Sequence, residues 1–288
     1  MNILKHIPVL AVAMILTSVP SAMASTVSLQ YVPEPPPSLL DLKGIPDSKT
    51  FKPEEVDSEI EDLGDGMVNV RKNAIQEAAL SYGARGGLAF GTYHVRVELE
   101  KRAAYMDKVF DFRRLLIPAP SGLLIEPPIV SESEDILEID ISGQEAAVVD
   151  RMYNINLNAR IVTAPRTWRQ YLERTWDSVT MPPDLLRPAD DEEREIFEEY
   201  VEKGWEEGLE QADEIFNQDL NQLTADFEGM VKYRKLLAQG MISKPYALQV
   251  DRGVTGGGDM MRVGDRAIQI TGNSQLVTGY QQWKPASR

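Results

Sequence analysis

The chain has 288 residues, with 30 Lys+Arg against 45 Asp+Glu, two His and no Cys, giving a formal net charge of −15. That balance argues against direct nucleic-acid binding, and the missing cysteines remove disulfides, thiolate metal sites, cysteine nucleophiles and lipid attachment at Cys. With 43% hydrophobic and 26% charged residues the composition is that of a globular protein able to bury a core, so wholesale disorder and collagen-like repeats are excluded.

Lys5 precedes an apolar stretch from Ile7 to Leu16, and Ala22-Met23-Ala24 follows it with small residues two apart. This is the pattern of a secretory signal peptide, 1–24, cleaved after Ala24; the apolar run is too short for a spanning helix. Cleavage would remove His6 and leave His94 as the single histidine, which a packed or surface position explains better than catalysis.

From Thr26 to Glu55, six prolines from Pro33 to Pro53 remove backbone donors, so no regular helix is expected there and 25–66 reads as a proline-rich linker or arm. Between Met67 and Phe112, apolar residues such as Val70, Ala74, Ala78, Leu88, Val95 and Leu99 recur at helical spacing, predicting one long helix or two nearly continuous ones. Gly83, Gly86, Gly87 and Gly91 interrupt this segment, and each would cost about 1 kcal/mol relative to Ala on an exposed helix. Close approach of another element to a face without side chains is the plain explanation; a kink is the alternative.

A β region is expected from 118 to 165, with strands at 136–141, 148–155 and 158–163 and a turn at Ser142-Gly143. Ala164-Pro165 then opens a short helix carrying Trp168, Tyr171 and Leu172 on one side and ending by Pro182-Pro183. The longest periodic segment runs from Asp190 to Gly240, either one long helix or one broken near Gly204 or Gly229. After Pro245 the pattern turns to strands at 246–251, 260–263 and 266–271, with Gly264-Asp265 as a hairpin turn and 280–285 as an additional edge strand through Trp283.

Chemistry-bearing patterns are sparse. The acidic run from Asp190 to Glu199 could supply paired carboxylates, but charges in a first helical turn complement the helix dipole and explain the run without a reaction. Gly253-Val254-Thr255-Gly256-Gly257-Gly258 lies between strands, without the helix N-terminus that a phosphate loop needs. No G-x-S-x-G, H-E-x-x-H, Walker or EF-hand pattern is present, so no catalytic, cofactor or metal residue is assigned. Arg166, Trp168, Arg169 and Tyr171 form the best candidate for partner contact, because Trp and Arg concentrate binding energy at interfaces; a core role for Trp168 is the competing reading.

Three separated blocks carry a family resemblance: Ala164 to Leu172, Phe227 to Ala238, and Gly253-Val254-Thr255-Gly256, with further likeness in Ala79 to Ala84 and Trp283-Lys284-Pro285. In this order they resemble the DotC family of type IVB secretion systems over nearly everything from residue 70 onward. The resemblance implies a structural subunit, not an enzyme, of the outer-membrane core complex of a Dot/Icm-like or conjugative machine. Its implied partners are a DotD-like lipoprotein and the DotH-like, secretin-like subunit, in a multi-copy ring. Family members are typically lipoproteins; without Cys this chain cannot carry that anchor, so a periplasmic protein held at the outer membrane by its partners is expected.

The expected architecture is α+β, with long helices packed on a small mixed or antiparallel sheet and one domain over 67–288. A periplasmic cell-wall hydrolase working through Glu195 or Glu198, and a periplasmic assembly chaperone, are the rival functions.

Overall fold

Two long helices carry the protein. In a computed structural model, which describes residues 34–50, 66–119, 122–139 and 146–284, α2 spans Gly66–Lys101 and α5 spans Asp191–Ala238. Before them lies the short α1, Leu39–Lys43; between them come α3, Ala103–Val109, and α4, Arg169–Leu172. Among the described residues, three small antiparallel sheets complete an α+β fold: β1 Ile117–Pro118, β2 Leu124–Glu126 and β5 Arg160–Val162 form one, in the order β1-β2-β5. The hairpin β3 Ile129–Ile139 with β4 Ala146–Leu157 forms the second, and β6 Tyr246–Gly257 with β7 Met260–Gly272 the third. Contacts group Pro35–Arg288 into one unit and Met1–Glu34 into another; of the latter only Glu34 is described, so the expected signal peptide lies outside the described residues.

The glycines in α2 have the packing role anticipated for them. A Cβ on Gly83 would sit 2.2 Å from the Val201 carbonyl oxygen and one on Gly87 2.2 Å from that of Trp205. Reciprocally, a Cβ on Gly204 would lie 2.1 Å from Leu80 O and one on Gly208 2.2 Å from Ala84 O. Two G-x-x-x-G faces therefore press backbone on backbone, close enough for Cα–H to approach carbonyl oxygen. Residue numbers rise together across this seam, from Arg71 beside Glu193 to Gly91 beside Ala212, so α2 and α5 run parallel. Neither Gly204 nor Gly229 breaks α5; its 48 residues make a helix about 72 Å long at the standard rise.

Parallel neighbours joined in sequence need a return path, and residues 102–190 supply it. Beyond α2 the chain crosses α5 near its C-terminal end: Gly229 leaves room for β3, where a Cβ would meet Ile129 at 2.5 Å, and Arg234 donates to the Leu116 carbonyl at 2.8 Å. It then comes back past α4 to Asp190, whose side chain caps α5 by accepting from Glu193 N–H at 2.8 Å. Buried clusters follow this path along α5, one around Leu42, Ile75, Phe197 and Trp205, a second around Phe112, Trp168, Leu223 and Met230, and a third around Val130, Tyr233 and Ile242.

Several local expectations need correction. A helix does form in the proline-rich stretch: Ser38 and Asp41 make a capping box for α1, which drives Leu42 into the first cluster against Gly86. Asp184 then accepts from the Lys49 and Thr50 amides at 3.1 and 2.9 Å, so residues 35–50 lie packed on the body instead of extending as a spacer; residues 51–65 lie outside the described residues. The helix after Pro165 is one turn long and stops at Leu172, with 173–182 irregular. Gly264-Asp265 is not the hairpin turn: the turn is Gly258-Asp259, while Gly253 opposes Asp265 at an irregularity where Gly253 and Gly264 take positive φ. Tyr280–Gln282 is a 3-10 turn, not an edge strand, and Trp283 Nε1 donates to Val277 O at 2.8 Å. The expected Ser142-Gly143 turn lies outside the described residues.

Candidate functional site

Arg166, Trp168, Arg169 and Tyr171 come together, but as a junction facing inward. Trp168 is 1% exposed in the second core cluster, which overturns its reading as a partner contact; its indole N–H donates to Asp107 at 2.7 Å. Arg169 covers it, with the guanidinium carbon 4.3 Å from the ring centre, Nη1 3.2 Å from Asp107 and Nε 3.0 Å from Glu173. Arg169 keeps 34% of its side chain exposed, against 15% for Arg166. Packing by a large apolar ring on a one-turn helix explains why Trp168 goes inside: α4 is too short to hold position without it.

Arg166 bridges two buried carboxylates. Its Nη2 is 2.6 Å from Glu126 and its Nη1 2.6 Å from Asp226, so strand β2, the return segment and α5 meet at one guanidinium. Tyr171 donates to Asp226 at 2.7 Å and its ring stacks 6.2 Å from Phe112, while Gln222 donates to the other Asp226 oxygen at 2.7 Å. Arg160 adds a second cation at 3.1 Å from Glu126. Burial, and then the hydrogen bond to Asp226, pushes the Tyr171 phenol up to about 12. Burial opposes the charge of Arg166, but its bonds with Tyr171 and Glu126 outweigh that, and its pKa is raised. Beside the junction, Arg160, Thr163, Pro165 and Gln170 line an open cleft of about 440 Å³.

This arrangement holds charge in place; it does not present it. Asp107, Glu126 and Asp226 were missed in the sequence, although Asp226 carries a readable signal: it stands three residues after Leu223 and four before Met230, a carboxylate on an apolar stripe. The acidic start of α5 is likewise engaged, with Glu193 pairing Arg71 at 2.6 Å and accepting the Ala189 amide at 2.9 Å, and Glu192 pairing Lys72 at 2.6 Å. His94 is exposed beside Phe90, ring centres 4.3 Å apart. Among the described residues no group of three or more His, Asp or Glu is disposed to hold a metal ion, and no helix is long and apolar enough to cross a membrane.

Long helices packed at their glycines and an internal ion junction define an α+β protein whose charged cluster is paired within the chain. The family comparison says in which setting: residues 69–285 match the TraI family model described as type IV secretory system, conjugal DNA-protein transfer, and the chain belongs to that family. No curated protein matches the chain.

Proposed function

We propose that this protein is a non-enzymatic structural subunit of the outer-membrane core complex of a type IVB secretion or conjugation system. The observation that carries the reading is the match to a conjugal-transfer secretory family over 69–285, joined to the DotC-like blocks at 164–172, 227–238 and 253–256. In this reading the exported chain works in the periplasm beside the outer membrane and helps place a DotH-like, secretin-like subunit together with a DotD-like lipoprotein. Its own attachment is through those neighbours, since no cysteine is available for a lipid.

The geometry supports a part over a catalyst. In the acidic run of α5, Glu192 and Glu193 are engaged with Lys72 and Arg71, and the buried Glu126 with Arg160 and Arg166, while Glu195, named for a hydrolase, stands exposed on the helix surface. Purifying the C-terminally tagged protein from envelopes in mild detergent, then identifying its companions by mass spectrometry, tests the proposal. Stoichiometric core subunits in large particles are expected; recovery as a free monomer from cells with an assembled machine sinks it.

A further inference from the structure

Most of the chain covers its own apolar surface, but the β6–β7 ribbon does not. None of its residues is buried, although an isolated two-stranded ribbon is marginal in water without a covered face. Large apolar side chains stay exposed at both ends, Tyr246 at 73% by the base and a group of four toward the far end. Val254 pairs with Val263 and Gly256 with Met261, which puts Val254, Met261 and Val263 on one face at 62%, 72% and 74% exposure. Opposite Met261 stands a glycine, and opposite Met260 another, Gly257, so neither methionine has a side chain directly across from it. Asp259 in the turn and Arg262 rim this apolar tip with one charge of each sign.

At the ribbon's other end lies a groove of about 800 Å³ between β4 and the C-terminal segment. Met241, Leu276, Val277 and Trp283 give it an apolar lining, with Asp150, Lys284 and Arg151, itself paired with Glu134 at 3.5 Å, among the same walls. Leu276 is bridged to Ile242, close in sequence to the start of β6, so groove and tip are separated by the ribbon's length, about 35–40 Å at the rise of a strand. The ribbon cannot fold its tip onto its own base without breaking its ladder.

We propose that the tip of one copy of this chain docks in the groove of a second copy. An adaptable knob of two methionines and two valines enters an apolar-lined cleft, and the tip's Asp259 and Arg262 meet Lys284 and Asp150 of the acceptor. A membrane is the poorer occupant, because a carboxylate leads at the turn. Donor and acceptor are different surfaces, so the contact is head-to-tail and successive copies form a closed ring or an extending array. The inference stands apart from the identity of the other subunits proposed above.

The absence of cysteine makes the test clean. Full-length Met261→Cys and Leu276→Cys proteins are oxidised separately as controls and, from their reduced forms, mixed and then oxidised together, and both are also co-expressed in the producing cells and oxidised there. A mixed disulfide dimer is expected, with a ladder of larger species from the doubly substituted chain. In parallel, sedimentation of the unsubstituted protein should show association that Val263→Asp weakens at least about ten-fold. Dimers from Met261→Cys alone would make the contact tip-to-tip, and an intrachain bond in the double variant would put tip and groove in one molecule. Either result, or no mixed disulfide in cells or in solution, or vesicle binding by the tip in its place, overturns the proposal.

Discussion

Glycine is used in two opposite ways in this molecule. Along the α2–α5 seam, Gly83, Gly87, Gly204 and Gly208 remove side chains so that two helix backbones touch, and the surface so created is spent inside the chain. In the β6–β7 ribbon, Gly253, Gly256, Gly258 and Gly264 take positive φ, bending and turning the strands while leaving the neighbouring methionines and valines uncovered. One region is complete by itself, whereas the other exposes what a partner would cover. Substitutions in the helical body should therefore read out in stability, and those in the ribbon in association.

The body should break most readily at the tryptophan junction. Trp168→Ala is expected to cost about 3–5 kcal/mol, because it empties a fully packed site and leaves Asp107 without its indole donor. Chemical denaturation checks this; an unchanged midpoint would return Trp168 to the surface. Arg166→Met should cost a little less, about 3–4 kcal/mol, by leaving Glu126 and Asp226 buried with fewer cations, and adding Asp226→Asn to the Arg166→Met protein should recover part of the loss.

Gly204→Ala sharpens the seam. Its new Cβ would meet a backbone oxygen that cannot step aside, at 2.1 Å, so overpacking of about 1–3 kcal/mol should exceed the roughly 1 kcal/mol that alanine's better helix propensity returns. A thermal midpoint that rises on this substitution would mean the helices do not meet there.

These elements were legible to different degrees, for physical reasons. Period alone outlined α2 and α5, and the cost of four glycines in α2 pointed to close packing, because a helix interior rarely tolerates them without a neighbour. It did not say that the neighbour is α5 or that the two run parallel, since both depend on the return path through 102–190. The capping box Ser38-Leu39-Leu40-Asp41 was hidden by the prolines around it, though a Ser three residues before Asp is a local helix signal. In the ribbon, Gly258-Asp259 and Gly264-Asp265 offer the same dipeptide, and only pairing across the strands separates the turn from the irregularity. The Arg166 cluster was legible as residues and not as a place: a Trp with two arginines suits an interface or an interior, and Asp107, Glu126 and Asp226, distant in sequence, decided for the interior.

The junction should also show itself in alkali. Folding raises the Tyr171 phenol from 10.0 to about 12, so the folded state holds that proton more tightly than the unfolded chain. Its contribution is therefore whole below pH 10 and is lost as pH rises toward 12, on the order of 1–2 kcal/mol for a half-buried group. Following tyrosinate absorbance against pH, Tyr171→Phe should remove a late-titrating phenol, and stability measured across this window should fall less steeply in the variant. Tyr82, Tyr153 and Tyr233 are raised too, mainly by burial, so the fall should be reduced and not abolished.

The smallest expected effect is at the ribbon, and it separates the two regions most sharply. Val254→Ser with Met261→Ser changes two side chains that are already mostly in water, so stability of the isolated chain should move by no more than about 0.5 kcal/mol. The pair sits on one face beside Val263, away from every core cluster, and neither residue is the turn glycine or the acidic turn residue that sets the hairpin. Equilibrium denaturation of dilute protein would read this directly. A loss of several kcal/mol would mean that the tip packs against its own body, and the contrast between a completed seam and an open ribbon would fail; no loss, with association weakened at higher concentration, places the function of these side chains outside the chain that carries them.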